Sequence, residues 1–279
     1  MLTLAAFADE IGPELDLQIE HLKKNGVTHF ELRGVAGKNV LDFDPAMRRE
    51  IKTKLSDHGL AVACIGSPIG KVKLNESFDE HMDRFKIAVE LAGFFNAPMI
   101  RVFSYYPLAG TTRNHLVRHG RAEVVRRMEQ KVAYIENHPV IMVHENEADI
   151  YGESGRHCLD LLQSINSPKL RAAFDSANFI QCGEDALPQW ELLKPFVAHI
   201  HVKDALAPTG KNVPAGQGDG HYPEILKDAH GRGYRGFLTL EPHLQVAGRF
   251  SGQTGPDLFA VAVQALRQIC RQQGIPLAS

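Results

Sequence analysis

The segment VAHIHVKDA (197–205) decides the fold, because polar and apolar residues alternate along it. Ile200 and Val202 are apolar, whereas His199, His201 and Lys203 are polar. Successive side chains of a strand point to opposite faces, so these three polar side chains are predicted to share one face. A strand whose apolar residues face outward and whose polar residues face inward is typical of a barrel covered by helices.

Seven further apolar runs of strand length alternate with longer amphipathic segments that are predicted to be helices. The predicted strands are 2–9, 27–34, 60–68, 98–106, 139–146, 169–178, 197–205 and 236–243. The predicted helices are 14–24, 44–58, 78–95, 114–137, 155–165, 184–194, 222–231 and 256–273. Alternating strands and helices imply parallel strands with right-handed crossovers, and eight such units most simply close into a barrel.

An open, doubly wound sheet is the alternative to a barrel. Such a sheet requires a glycine-rich turn after the first strand to hold a dinucleotide, and this turn reads ADEIGPEL (8–15). A Walker A sequence is also absent. The length of 279 residues fits a barrel, which typically has roughly 250 residues. We therefore predict an α/β fold, a single (β/α)₈ TIM barrel domain over residues 1–279.

The composition is that of a soluble globular protein. Hydrophobic residues make up 44% and charged residues 23%, and the net charge is -2. No basic stripe is present, so we expect no nucleic-acid partner. The four cysteines form no CxxC pair, the first residues do not resemble a signal peptide, and no apolar run is long enough for a membrane span. We expect a cytoplasmic protein without a membrane partner.

Four inward-facing residues are predicted at the ends of neighbouring strands: Glu145, Asp175, His201 and Glu241. Taken singly, each has an ordinary explanation, such as a salt bridge, a helix cap or a satisfied core histidine. Together they would bring three carboxylates and one imidazole to one point, an arrangement that is self-repelling without a cation. The set predicts one divalent metal ion, for which Mn²⁺, Mg²⁺, Co²⁺ and Zn²⁺ are all suitable.

At these residues the sequence resembles the xylose isomerase-like TIM barrel superfamily, which includes sugar phosphate isomerases, epimerases and the AP endonucleases of family 2. The resemblance rests on VHEN (143–146), FDSAN (174–178), HIHVKD (199–204) and LTLEP (238–242), and it covers essentially the whole chain. It implies that Glu145, Asp175, His201 and Glu241 are the metal ligands, with Mn²⁺ or Zn²⁺ favoured and Mg²⁺ or Co²⁺ as alternatives.

The sequence departs from two members of the superfamily. Ketose epimerases carry a substrate-contacting histidine where this chain has Asn178, which can bond a hydroxyl but cannot carry a proton. The AP endonucleases need additional histidines for further metals, and this chain has Ser67 and Arg101 near those places. An AP endonuclease-like phosphodiesterase is therefore a remote alternative.

The resemblance implies an isomerase or epimerase that acts on a keto sugar or sugar phosphate through an enediolate. Glu145 and Glu241 would exchange the proton, and Lys203 would polarise a substrate oxygen unless it forms only a salt bridge. A lyase of the inosose dehydratase type on the same metal scaffold is the alternative function. A homo-oligomer is compatible with the resemblance.

Further substrate contacts are predicted from four residues: Arg101, Asn178, Glu31 and Arg249. Arg101 could hold a phosphate or carboxylate, or it could form an ion pair with Glu31 inside the barrel. Arg249 lies in one of two glycine-rich loops, GQGDGHY (216–222) and VAGRFSGQTG (246–255). Many barrels bind phosphate at this place, so a sugar phosphate is a plausible substrate.

Overall fold

The computed structural model describes residues 1–247 and 252–278 and shows eight parallel strands in a closed barrel. The strands pair in chain order, and the last pairs with the first. They are β1 (Thr3–Ala6), β2 (His29–Leu32), β3 (Ala61–Ile65), β4 (Met99–Val102), β5 (Ile141–Glu145), β6 (Leu170–Asp175), β7 (Val197–Val202) and β8 (Phe237–Leu240). The predicted (β/α)₈ TIM barrel is confirmed.

One principal helix follows each strand. The helices are α1 (Leu15–Lys24), α2 (Pro45–Asp57), α3 (Phe78–Phe95), α4 (Arg121–Tyr134), α5 (Gly155–Ile165), α6 (Ala186–Leu193), α7 (Tyr222–Gly231) and α8 (Gly255–Gln272). Side-chain oxygens cap several N-termini: Asp44 accepts from two backbone N–H groups of α2, and Ser154 accepts from His157 in α5. No helix in these described ranges is long and apolar enough to cross a membrane.

Several predicted strands are shorter in the structure, such as 98–106, which is observed as Met99–Val102, and two further differences have a local cause. The segment predicted as one helix over 114–137 is divided into a short helix (Arg113–His115), a π-helical segment (Leu116–Gly120) and α4. The strand predicted over 169–178 ends at Asp175, because the Asp175 side chain accepts a hydrogen bond from Asn178 N and starts a short helix (Ser176–Gln181). Hydrophobic periodicity cannot predict either difference, because both depend on local hydrogen bonds.

The predicted alternation along the strands is confirmed. Ile200 and Val202 pack outward in the main hydrophobic core between barrel and helices. A small separate apolar cluster fills the barrel interior and consists of Cys64, Met99, Val143 and Ala173. Above this cluster the interior is polar, and the polar side chains rise from it toward the C-terminal ends of the strands, where barrel enzymes carry their sites.

Candidate metal centre

The four predicted metal ligands meet at the C-terminal end of the barrel. Glu145 and Asp175 are the last residues of β5 and β6, His201 lies in β7, and Glu241 directly follows β8. Parallel register aligns Asp175 with His201 and Thr239 with His201. One donor atom from each of the four ligands lies within 4.8 Å of the other three, and all four side chains are buried.

His201 Nδ1 faces all three carboxylates. It lies 3.2 Å from Glu145 Oε1, 3.5 Å from Glu241 Oε2 and 4.0 Å from Asp175 Oδ2. The opposite ring nitrogen, His201 Nε2, lies 3.3 Å from Glu31 Oε2. The imidazole therefore presents one nitrogen to the carboxylate cluster and the other to a carboxylate behind it.

The donor set fits a divalent cation. Asp175 Oδ2, Glu241 Oε2 and His201 Nδ1 are all buried and point to one place, and the contacts they make there are ion pairs with Lys203 and among the four ligands themselves. The two oxygens of Asp175 have different roles. Oδ1 caps the following helix, and Oδ2 faces the other proposed ligands. Three oxygens and one imidazole nitrogen form a mixed set that Mn²⁺, Zn²⁺, Co²⁺ or Mg²⁺ can occupy.

Arg101 holds Glu145 in place. Its NH1 group donates to Glu145 Oε2 at 3.0 Å, and its NH2 group donates to the Gly66 carbonyl at 3.2 Å. The predicted alternative, an ion pair between Arg101 and Glu31, is wrong, because Glu31 instead pairs with His199 at 2.6 Å.

Lys203 lies beside the cluster rather than behind it. Its ammonium group is 2.8 Å from Asp175 Oδ2 and 3.5 Å from Glu241 Oε2. The side chain thus makes the salt bridge that the sequence left as one alternative, and it is buried where it does so. Tyr222 fixes this part of the chain, because its hydroxyl accepts a hydrogen bond from the Lys203 N–H group at 2.9 Å and can donate to either the His201 or the Lys203 carbonyl, at 2.9 and 2.8 Å.

Asn178 uses its amide within the protein. Its Nδ2 group donates to Glu145 Oε1 at 3.2 Å and to the Asn146 carbonyl at 2.7 Å. Glu145 is consequently held from two sides, by Asn178 at one oxygen and by Arg101 at the other. The predicted Arg249 contact lies outside the described residues.

The electrostatic environment shifts the pKa values of Glu145 and Asp175 in opposite directions. Burial alone would raise the pKa of Glu145, but His201 and Arg101 lower it to about 2. Burial raises the pKa of Asp175 to about 6, because the nearby Glu241 and Glu145 carboxylates offset the lowering effect of Lys203. Glu145 is therefore ionised at neutral pH, as a general base must be.

Sequence reasoning missed a second group of residues around Glu241. Arg33 donates to Glu241 Oε1 at 2.9 Å and to Asp9 Oδ2 at 2.8 Å. His243 Nε2 lies 3.2 Å from Glu10 Oε1 and 3.6 Å from Glu241 Oε1. Alternation along β2 places Glu31 inward and, two residues further along the chain, Arg33 inward as well. Applying the same alternation beyond the end of β2 would therefore have predicted Arg33. No strand periodicity predicts His243, which adopts a left-handed backbone conformation with φ 48°.

The Phe7 ring connects the two arginines of the site. The Arg33 guanidinium carbon lies 4.4 Å and the Arg101 guanidinium carbon 4.8 Å from the centre of this ring. Two like charges would repel each other, but each is paired with a carboxylate and contacts an aromatic face, which is favourable for both. Phe7 also contacts His201 edge-on, with ring centres 5.3 Å apart.

The protein is a closed parallel barrel that carries a cluster of three carboxylates and one imidazole at the C-terminal ends of its strands. A sequence profile of the xylose isomerase-like TIM barrel family matches residues 19–269. The chain therefore belongs to the xylose isomerase-like TIM barrel family.

One curated relative is similar over part of the chain. It is a 3-dehydroshikimate dehydratase of Bacillus anthracis, 22% identical over 188 residues, which are 67% of this chain and 65% of the relative. The chain thus matches less than two thirds of that relative's length. A crystal structure of the probable 3-dehydroshikimate dehydratase of petrobactin synthesis from the same organism superposes with a TM-score of 0.74 at 19% identity, covering 95% of this chain and 98% of that one.

Two other solved structures share the fold. A D-tagatose 3-epimerase-like protein has a TM-score of 0.76 at 13% identity, with 98% of each chain covered. A xylose isomerase-like TIM barrel protein from Mycobacterium smegmatis in complex with magnesium has a TM-score of 0.74 at 14% identity, covering 98% of this chain and 97% of that one. At these identities the comparisons establish a common fold.

Proposed function

We propose that this protein is a divalent-metal-dependent isomerase or epimerase that moves a proton at the carbon beside the carbonyl of a keto sugar or sugar phosphate. The observation that carries the proposal is the approach of Glu145 and Glu241 to the same imidazole nitrogen, at 3.2 and 3.5 Å, from strands on different sides of the site. Two carboxylates that flank one point can remove a proton from one face of a substrate and return it to another.

The proposed ligands of the ion are Glu145, Asp175, His201 and Glu241. When bound, a divalent ion supplies Lewis-acid polarisation of the carbonyl next to the reacting carbon. Mn²⁺ and Zn²⁺ are the proposed ions, with Mg²⁺ and Co²⁺ as alternatives. The structural neighbour from Mycobacterium smegmatis in complex with magnesium supports a divalent ion in a barrel of this family.

Glu145 is the proposed base because its environment keeps it ionised and oriented. Arg101 and Asn178 bind its two oxygens, which fixes the direction of the carboxylate. Glu241 is the proposed second proton carrier, and Arg33 orients it at 2.9 Å. Each glutamate thus has one arginine that donates to it, and Arg101 also lies 3.9 Å from Glu241 Oε1.

Lys203 is proposed to donate to the substrate oxygen on which negative charge develops. Its ammonium group lies beside the proposed ligands, 2.8 Å from Asp175 Oδ2, and a positive charge there stabilises an oxyanion. Arg101 and Asn178 remain proposed substrate contacts at the edge of Glu145. For Glu31, which is buried behind His201, we propose a role through the imidazole in place of a direct substrate contact.

A dehydratase is the second candidate, and the curated relative is the observation that favours it. Elimination of water also starts with removal of a proton beside a carbonyl, and a hydroxide then leaves from the next carbon. The same base and the same metal would serve both reactions. The D-tagatose 3-epimerase-like neighbour favours the first candidate.

The test is solvent exchange. Protein reconstituted with Mn²⁺ is incubated in deuterium oxide with keto sugars, their phosphates and 3-dehydroshikimate, and the products are analysed by NMR and mass spectrometry. Uptake of deuterium with unchanged composition supports an isomerase or epimerase, whereas loss of water identifies a dehydratase. If no tested substrate takes up deuterium or loses water while the protein binds Mn²⁺, the proposal is wrong.

A further inference from the structure

A buried carboxylate at the end of β7 organises the loop that follows the strand. Asp204 comes directly after Lys203 and is 1% exposed. Burying a carboxylate is costly unless its oxygens accept hydrogen bonds, and each Asp204 oxygen accepts two. The donors are four backbone N–H groups at 2.7 to 3.0 Å, those of Ala205, Gly216, Gly218 and Gly220. The loop is therefore folded around this side chain.

The same carboxylate explains the glycines of the segment GQGDGHY (216–222). A Cβ atom on Gly218 or Gly220 would collide with Asp204 Oδ1. A larger residue at either position would push the loop away from the carboxylate and break the hydrogen bonds of these N–H groups. The N–H groups of Gly216, Gly218 and Gly220 already bind Asp204, so the glycines are accounted for without a phosphate.

The segment that Asp204 holds leads directly to Tyr222, the first residue of α7. Gly220 donates its N–H group to Asp204 Oδ1 at 2.9 Å, two residues before Tyr222. His221 lies between them in a left-handed conformation with φ 55°, which is uncommon for a residue other than glycine. Tyr222 itself is fully buried. Asp204 therefore fixes the turn from which the Tyr222 side chain extends.

The Tyr222 hydroxyl returns to the end of β7. The strand and its pairing with β8 end at Val202, one residue before Lys203. The hydroxyl accepts a hydrogen bond from the Lys203 N–H group at 2.9 Å and lies 2.9 and 2.8 Å from the carbonyl oxygens of His201 and Lys203. It thereby gives the Lys203 N–H group the partner that a neighbouring strand would otherwise supply.

Lys203 is consequently held at two places. Its ammonium group lies 2.8 Å from Asp175 Oδ2, and its backbone N–H group is bound by Tyr222. A lysine side chain has a flexible stem of four carbons, so the position of the ammonium group also depends on where the backbone is anchored. The backbone anchor of Lys203 is the hydroxyl that Asp204 places through the loop.

From these contacts we infer that Asp204 is a positioning residue for Lys203 and acts through the loop and the Tyr222 hydroxyl. Its four hydrogen bonds all go to backbone N–H groups, so its effect on the reaction passes through the residues that those groups hold. The inference rests on the proposed function, in which Lys203 donates to the substrate oxygen that becomes negatively charged. Such a donor stabilises the charge only when it is held in place beforehand, and misplacement by about 1 Å can cost roughly 100-fold in rate.

Binding of an enediolate analogue tests the inference without requiring turnover. The probe is glycolohydroxamate, which carries a hydroxamate anion where the reaction would form an enediolate, and such analogues report on interactions that are made in the transition state. Calorimetric titration of the full-length protein at saturating Mn²⁺ measures the affinity, and Mn²⁺ binding is measured separately for each variant.

We expect Asp204→Asn and Tyr222→Phe each to weaken hydroxamate binding by about tenfold, the effect of losing one hydrogen bond to a charged group. Asparagine turns an N–H donor toward two backbone N–H groups, and phenylalanine lacks the hydroxyl that holds Lys203. Asp44→Asn is the matched control, because Asp44 also binds two backbone N–H groups, and it should retain the wild-type affinity.

A double-mutant cycle with Lys203→Met separates positioning from general structural damage. If Asp204 and Tyr222 act through Lys203, each substitution should weaken hydroxamate binding by less than about twofold once the ammonium group is absent. Equal losses with and without Lys203, or wild-type affinity in Lys203→Met itself, would overturn the inference. Circular dichroism verifies folding, and the cycle with Tyr222→Phe decides the matter if Asp204→Asn does not fold.

The outcome is independent of the deuterium experiment. Coupling between Asp204 and Lys203 in hydroxamate binding without any deuterium exchange would support the positioning role and contradict the proposed proton transfer. Deuterium exchange in the wild type, combined with strictly additive effects of the Asp204 and Lys203 substitutions on hydroxamate binding, would support the proton transfer and contradict the positioning role.

Discussion

Glu31 stands behind His201, with its Oε2 atom 3.3 Å from His201 Nε2, while His201 Nδ1 faces Glu145 and Glu241. Glu31 also accepts a hydrogen bond from His199, which in turn contacts Thr239. A carboxylate in this place holds the proton on Nε2 and leaves the Nδ1 lone pair for a metal ion. Glu31 thereby determines which nitrogen of His201 is available to a metal ion.

We expect Glu31→Gln to weaken Mn²⁺ binding by about 10- to 100-fold, the usual effect of losing such a carboxylate. Glutamine preserves the shape but removes the charge that orients the imidazole. Isothermal titration calorimetry measures the affinity, and Glu136→Gln, an exposed glutamate, is the matched control. Unchanged affinity in Glu31→Gln would show that the imidazole is oriented by other contacts.

Glu145→Gln and Glu241→Gln should each lower the rate of deuterium uptake by about 10² to 10⁴, the usual contribution of a general acid or base. Each variant is assayed at saturating Mn²⁺, so that loss of a ligand is distinguished from loss of a proton carrier. Arg48→Gln, remote on α2 and bound to Glu90, serves as the control. Full exchange in either glutamine variant would remove that glutamate from the mechanism.

Lys131 is fully buried in α4, and its amine lies 2.6 Å from the Tyr105 hydroxyl. Burial lowers the pKa of Lys131 well below its ordinary value, with a further contribution from Arg127. We expect Lys131→Met and Tyr105→Phe each to cost roughly 1 to 3 kcal/mol of unfolding free energy, because each leaves a buried polar group without its partner.

The double variant Lys131→Met/Tyr105→Phe should lose less unfolding free energy than the sum of the two single losses, because neither buried polar group is then left without a partner. Urea denaturation of the four proteins measures this coupling. Strictly additive losses would mean that the amine and the hydroxyl do not depend on each other.

His81 is predicted to make stability depend on pH. Burial, with Lys131 and Arg127 nearby, lowers the pKa of His81 from 6.5 to about 3. The unfolded chain therefore binds more protons than the folded protein between these pH values, and stability falls as the pH decreases from 6.5 toward 3. We expect His81 to account for up to about 2 kcal/mol of the loss between pH 6.5 and 5.

Denaturation at several pH values measures this slope. His81→Gln should flatten it, whereas His58→Gln, at an exposed histidine, should leave it unchanged. A slope that is equally steep in His81→Gln would assign the acid sensitivity to other groups.

Eight strand–helix units predicted the barrel, and alternation along β2, β4, β6, β7 and β8 predicted the inward side chains of those strands. On β5 the residues Ile141, Met142 and Val143 are all apolar, so Glu145 was placed inward by matching it to the other strand ends. Outward residues must be apolar where helices cover the sheet, so a local pattern of period two carries this information. Element boundaries were less well predicted, as the helix break around Leu116–Gly120 shows, because they depend on local hydrogen bonds.

The sequence by itself determined which side chains would reach the open end of the barrel: Glu145, Asp175, His201 and Glu241. Only the tertiary structure decided how they are partnered: Arg101 with Glu145, Glu31 with His199 and His201, and Arg33 with Glu241. The direction of a side chain follows from its own strand. An ion pair depends on strand stagger and side-chain reach across the barrel, and residues as distant in sequence as Arg33 and Glu241 meet only after the barrel closes.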